Sequence, residues 1–272
     1  ADDMPDVFML KGAWVDTFRG NGLIADISED IKNYEYSDLY SGGIFRIATR
    51  GDAIYGLPYE ANGSTTYVYY NKALWKDAGY DAFPSTWDEV IKANDYFVSQ
   101  GIPMIGLGNR DKWPVGSCIL SSLGNRYTGP EWTNSLITND GEAKFTDPEF
   151  VEALNLLAFL AENEAFNADF NSINNNQVQA LFMQGKYAST IEGYWALTQF
   201  LSSASEEMLD NIGIAPLPQP SNPKAGQYAS SGGAGWFFAV NGKLEGTERE
   251  AAIDLLFSLC GVEFSEYLAN EA

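Results

Sequence analysis

Short runs of strand length alternate with amphipathic helical stretches along this chain, and few folds accept that order. The apolar run 7–10, Val-Phe-Met-Leu, reads as a buried strand. Residues 64–70 are dense in β-branched and aromatic side chains and read as another. Asn71 then starts a helix over 72–78, with Gly79 as its stop. Three further helix starts share one signature: Thr86-Trp87-Asp88-Glu89, Thr146-Asp147-Pro148-Glu149 and Thr247-Glu248-Arg249-Glu250. In each, the Thr oxygen can accept from an unpaired N–H while the Glu reaches back. Apolar residues follow at helical spacing: Val90, Ile91 and Phe97; Phe150, Leu154, Leu157 and Ala161; Ile253, Leu256, Phe257 and Cys260. Residues 171–176 read as a polar loop and 177–184 as a helix capped by Gly185. Pro216, Pro218, Pro220 and Pro223 predict an extended segment, and 236–240 predicts a strand. The alternation places the chain in the α/β class.

Composition narrows the chemistry. The 272 residues allow one large domain or two medium ones. Asp and Glu number 37 against 16 Lys and Arg, a net charge of −21, and no basic run interrupts them. Nucleic acid and anionic membrane surfaces are therefore poor partners. The chain has no His, which excludes His-based triads, His general bases and the usual zinc sets. Cys118 and Cys260 lie in separate apolar runs and read as two buried thiols, with a bridge as the alternative. No apolar run is long enough to span a bilayer.

Three tryptophans stand where strands give way to turns. Glu192-Gly193-Tyr194-Trp195 follows a β-prone run and precedes a helical one. Trp113 follows the run 104–108, and Trp236 follows Gly232-Gly233-Ala234-Gly235. Such rings can stack on the apolar face of a sugar; the plain alternative is core packing. Lys11-Gly12-Ala13-Trp14 lies at the C-terminal end of the first strand, where open α/β sheets take ligands.

Several motifs, in order, resemble one family. Pro5-Asp6-Val7-Phe8 looks like its early strand, and Gly56-Leu57-Pro58-Tyr59 through Tyr70-Asn71-Lys72-Ala73-Leu74-Trp75 looks like its crossing segment. Pro84-Ser85-Thr86-Trp87-Asp88-Glu89, Gly185-Lys186 with Gly193-Tyr194-Trp195, and Ser231-Gly232-Gly233 into Phe238-Ala239-Val240-Asn241 match later motifs. The family is the extracellular solute-binding proteins of carbohydrate ABC importers, family 1, which are similar to maltose-binding protein. The resemblance implies a two-lobe periplasmic-binding-protein-like fold of class II, with the ligand cleft between lobes. Residues 1–63 and 231–272 would form lobe one and 64–230 lobe two, with crossings near 62–66 and 230–235.

By position, the ligand-facing residues would be Lys11, Gly12 and Trp14 in lobe one and Tyr59, Glu60, Asn62 and Ser64 at the crossing. In lobe two they would be Asn109, Arg110, Asp111, Trp113, Glu192, Tyr194 and Trp195, and on the return Gly233, Gly235 and Trp236. The resemblance also implies a mono- or oligosaccharide ligand, ABC permease subunits as partners and a monomer. It implies no catalytic residue, metal or cofactor, and an extracellular place as a lipoprotein or periplasmic protein. The family's first strand and helix, its lipidated signal and its closing helices are missing, so both ends read as cut from a longer protein. Glu192 departs from the pattern, since a small or polar residue usually precedes that glycine.

Rival readings stay open. A glycoside hydrolase would need two carboxylates at a defined separation, and Glu60 with Glu192 is the pair this sequence offers. A binding protein of the same fold for a non-sugar solute is the other. Asn167-x-Asp169-x-Asn171 lacks the Gly and Glu of a calcium loop. The glycine clusters lack dinucleotide or P-loop spacing.

Overall fold

The computed structural model describes residues 4–35, 37–40, 43–58, 66–138, 141–226 and 235–271. The chain divides into two compact units, one of residues 1–63 with 232–272 and one of residues 64–231. The strands in chain order are β1 Val7–Lys11, β2 Thr49–Arg50, β3 Ala53–Ile54, β4 Leu57–Pro58, β5 Thr66–Asn71, β6 Ile105–Gly106, β7 Ser189–Gly193, β8 Ile212–Ala215 and β9 Trp236–Val240.

The first unit holds a three-stranded antiparallel sheet of order β1-β9-β4 and the small hairpin β2-β3. β1 lies at the sheet edge, so of its five residues only Leu10 is fully buried, and the fully buried strand expected over 7–10 is not found. The helix Gly246–Cys260 covers this unit's core with Ala252, Ile253, Leu256 and Phe257 against Ile27, Leu57 and Val240. Its N-cap is Glu245 and the helix starts at Gly246. Thr247 thus lies inside the first turn and forms no capping box. Tyr34 stacks on Phe257 at 3.9 Å.

The second unit is built on the sheet β6-β7-β5-β8. β5 pairs antiparallel with β7 and β8, while β6 runs parallel to β7. Its core gathers Trp75, Phe83, Trp87, Val90, Phe97, Met104, Ile105 and Leu123. Asn71 caps the helix Lys72–Asp77 by accepting from the Leu74 N–H at 3.0 Å, and Gly79 closes it in the left-handed region. The helix Trp87–Gln100 starts as its sequence predicts. Thr86 Oγ1 accepts from the Glu89 N–H and donates to the Glu89 carboxylate at 3.1 Å. Thr86→Ala should therefore cost about 1 kcal/mol, read as a lower urea midpoint. An unmoved midpoint would show that the cap contributes nothing.

Two expectations fail here. The helix Pro148–Glu162 is capped by Asp147 backbone, and Thr146 makes no box. The Asp147 carboxylate is turned away, accepting from the Trp132 indole N–H at 2.7 Å and the Lys144 N–H at 2.8 Å. The buried face of this helix is Phe150, Ala153 and Leu160, leaving Leu154 exposed, because packing rotates the helix from the face its apolar spacing favours. The extended proline segment is as expected: Gln219 exchanges backbone hydrogen bonds with Ser85 and Trp87. Cys118 is buried and Cys260 half-buried, and both are free thiols. Burial pushes the Cys260 thiol up to about 12, so it stays protonated and inert.

Candidate functional site

Each unit carries an exposed aromatic face where strands end. In the first, the β1–β9 register sets Lys11 opposite Trp236. The Lys11 ammonium lies 5.7 Å from the Trp236 ring centroid, a cation–π distance. The Gly12 N–H donates to the Gly235 carbonyl at 3.2 Å and closes the end of the ladder. The chain then turns through a 3-10 helix, Gly12–Trp14, which brings the Trp14 ring edge-on to Trp236 at 6.1 Å and 88°. Trp14 is 49% exposed. Gly12 is buried, and a Cβ there would collide with the Ile47 side chain. Packing against Ile47 thus accounts for the glycine.

In the second unit, β6 runs parallel to β7 and pairs with its first residues, Ser189 and Thr190. The loop after β6 is pinned from below: the Asn109 N–H donates to the Phe170 carbonyl at 2.6 Å and the Arg110 N–H to the Ile173 carbonyl at 3.0 Å. Asn109 spends its side chain on the protein, donating to Asn171 Oδ1 at 3.0 Å and accepting from the Val115 N–H. Arg110 pairs with its neighbour Asp111 at 3.2 Å, both half exposed. Lys112 then takes a left-handed φ of 66°, uncommon for a non-glycine residue, and presents Trp113 at the loop tip.

The turn after β7 presents Trp195, whose ring meets that of Trp113 at 6.0 Å and 60°. Tyr194 stands edge-on to Trp195 at 5.6 Å. Trp113 is 37% exposed and Trp195 38%. Gly193 lies against the six-membered ring of Trp195, and a Cβ there would collide with two of its carbons, Cη2 and Cζ3. The glycine is what lets the indole lie down across the strand end.

Glu192, expected to face the ligand, is only 1% exposed. β7 is buried along its whole length, so the residue before the exposed turn still points inward. The Glu192 carboxylate accepts from Asn175 Nδ2 at 3.0 Å, and from the side chains of Gln179 and Trp195. Burial pushes the Glu192 carboxyl up to about 7, against the opposing pull of those three donors. The neighbouring Tyr69 phenol is also driven up, first by burial and then by the Glu192 charge. Sequence reasoning passed over Asn175 because 171–176 reads as loop, and over Gln179 because nothing marks which face of the helix expected over 177–184 meets Glu192. The helix in fact runs Asn175–Met183, started by a capping box between Asn174 and Gln177. That Asn-x-x-Gln spacing was the available signal.

Gly235 and Trp236 belong to the first face. Tyr59, Glu60, Asn62, Ser64 and Gly233 lie outside the described residues. Among the described residues no cluster of three metal-ligating side chains occurs, and no helix is long and apolar enough to cross a membrane. Chemically, both faces offer flat aromatic surface with a sparse polar rim.

The family described as bacterial extracellular solute-binding protein matches residues 1–259. The sn-glycerol-3-phosphate-binding periplasmic protein of Agrobacterium fabrum is 26% identical over 203 residues, 72% of this chain and 44% of that protein. A structure titled for xylan utilization by the thermophilic bacterium Caldanaerobius polysaccharolyticus superposes with a TM-score of 0.83 at 24% identity, over 95% of this chain and 64% of that one. A chitin oligosaccharide binding protein superposes with a TM-score of 0.78 at 25% identity, over 95% and 62%. The chain spans about half the length of the curated relatives it matches.

Proposed function

The chain belongs to the bacterial extracellular solute-binding proteins, and from that premise we propose that it captures a mono- or oligosaccharide for an ABC importer. The observation that carries this reading is the Trp113–Trp195 pair, two large rings left more than a third exposed at a strand end. Exposed apolar rings gathered on one face fit a partner with its own apolar surface. The C–H face of a pyranose is such a partner, and the rim residues can bond its hydroxyls. The chitin oligosaccharide binding protein of the same fold supports a sugar of this kind.

Capture is inferred to occur by closure, driven by the ligand's better affinity for the closed state. The closed form would then be read by permease subunits, with the protein acting as a monomer, extracellular and either lipid-anchored or periplasmic. The division into 1–63 with 231–272 and 64–230 is proposed as the division into moving lobes.

Hydrolysis is a poorer fit. The family consists of transporter binding proteins, which are typically not enzymes. Glu192 has the raised pKa a general acid needs, but it is buried and its oxygens are occupied by three N–H donors. A phosphorylated polyol, as the name of the Agrobacterium relative indicates for that protein, would favour a cluster of cations. On the described faces Lys11 lies over Trp236 and Arg110 is paired with Asp111.

The test is intrinsic fluorescence titration with xylo-, chito- and malto-oligosaccharides and sn-glycerol 3-phosphate, each mixture assayed for hydrolysis. A saturable change with a saccharide and no product is the expected result. Product formation, or saturation by the phosphate alone, would overturn the reading.

A further inference from the structure

Glu192 is a buried carboxyl, and among the described residues no cation acts on it. Among the described residues, the elements packed most closely against β7 lack a charged side chain: β5, β6, the helices Asn175–Met183 and Trp195–Ser203, and the π-helix Val115–Leu120. The titratable groups those elements bring are the phenols of Tyr67, Tyr69 and Tyr70 and the thiol of Cys118. Tyr67 is the cross-strand partner of Glu192. Phenols and thiols are neutral near neutral pH, so none of them compensates a carboxylate. A plain structural residue at this place would be neutral, because an unpaired buried charge is costly. Three N–H donors converge on it instead, one of them the indole of Trp195. A carboxylate is acceptor-only and satisfies all three; a protonated carboxyl brings an O–H into a ring of donors.

We propose that Glu192 is the positioning residue of the aromatic face: ionised, it holds the Trp195 indole N–H and fixes the ring over Gly193, and on taking a proton from solvent it lets the ring go. The hydrogen bond also pushes electron density toward the indole face that would meet sugar C–H groups. The consequence for binding rests on the saccharide reading; the consequence for the ring does not.

The sign follows from burial. Glu192 keeps its proton above the ordinary carboxyl value of 4.5 and loses it at about 7. The fold is thus favoured by the protonated form at low pH and gives up that margin as pH rises through about 7. Ligand binding runs the other way, improving as Glu192 ionises.

The experiment follows the Trp195 indole proton by NMR in the unliganded full chain, from about pH 5 to about pH 9. The resonance is identified by its loss in Trp195→Phe. It should move in one step near 7, downfield as pH rises, and the step should vanish in Glu192→Gln. Should that variant misfold, Asn175→Ala keeps the carboxyl and removes one donor, and the step should then move to higher pH. Affinity for whichever saccharide of the panel binds should rise about tenfold across the same range and stay flat in Glu192→Gln. An absent step, a step that persists in Glu192→Gln or is unmoved in Asn175→Ala, or a flat wild-type affinity would overturn the proposal. If no saccharide binds at any pH, the functional reading falls, and the indole titration alone decides the role of Glu192.

Discussion

Trp195→Ala is expected to weaken saccharide binding by about a hundredfold or more while leaving the protein folded. The ring is more than a third exposed, so its removal takes little from the core beyond one of the three donors on Glu192. It is also central to the face, touching Trp113 on one side and Tyr194 on another. Aromatic anchors in such positions carry a disproportionate share of binding energy, about 2 kcal/mol or more each. Titration calorimetry on wild type and variant, beside their melting temperatures, separates the two effects. Equal affinity would remove Trp195 from the site. A large drop in melting temperature would mean that the ring belongs to the core.

The opposite pattern is expected of Trp75→Ala. Trp75 is fully buried, packed against Phe83 at 4.6 Å, Phe97 at 5.0 Å and Tyr80 at 5.7 Å. Its indole N–H donates to the Ala188 carbonyl at 3.2 Å, tying the helix Lys72–Asp77 to the start of β7. Truncation leaves a cavity and breaks that tie, and should cost about 3–5 kcal/mol. The urea midpoint of the second unit would fall sharply. A change under about 1 kcal/mol would mean that the surrounding rings collapse into the space without loss. The two variants together separate tryptophans that look alike in sequence.

That separation marks how far the sequence could be read. Trp113 and Trp195 stood out in the sequence beside strand ends, but core packing stayed open for each ring until its exposure was seen. Family and fold were legible through ordered motifs, since the cap at Thr86 and the strand over 66–71 depend on local chemistry that tertiary packing leaves intact. Glu192 was not legible. Strand alternation exposes every second residue only when one sheet face meets solvent, and β7 is covered on both. The outward turn of Leu154 was missed for a related reason: the helix Pro148–Glu162 has more apolar residues than its contact can bury, so periodicity alone leaves its rotation open. β8 escaped notice because Ile212–Ala215 is four residues long and runs straight into the proline segment. The π-helix Val115–Leu120 and the left-handed Lys112, which together place Trp113, have no sequence signature.

The central claim is that a saccharide rests on the Trp113–Trp195 face, and the most direct measurement watches those rings while the ligand is added. The chain has seven tryptophans, so its indole N–H resonances form a small, assignable set. Trp75 and Trp87 are buried and serve as internal controls. With xylo-, chito- and malto-oligosaccharides added in turn, the account predicts saturable shifts of Trp113 and Trp195 with at least one of them, while Trp75 and Trp87 stay still. Silence of Trp113 and Trp195 toward every saccharide, or saturable shifts confined to other tryptophans, would contradict it.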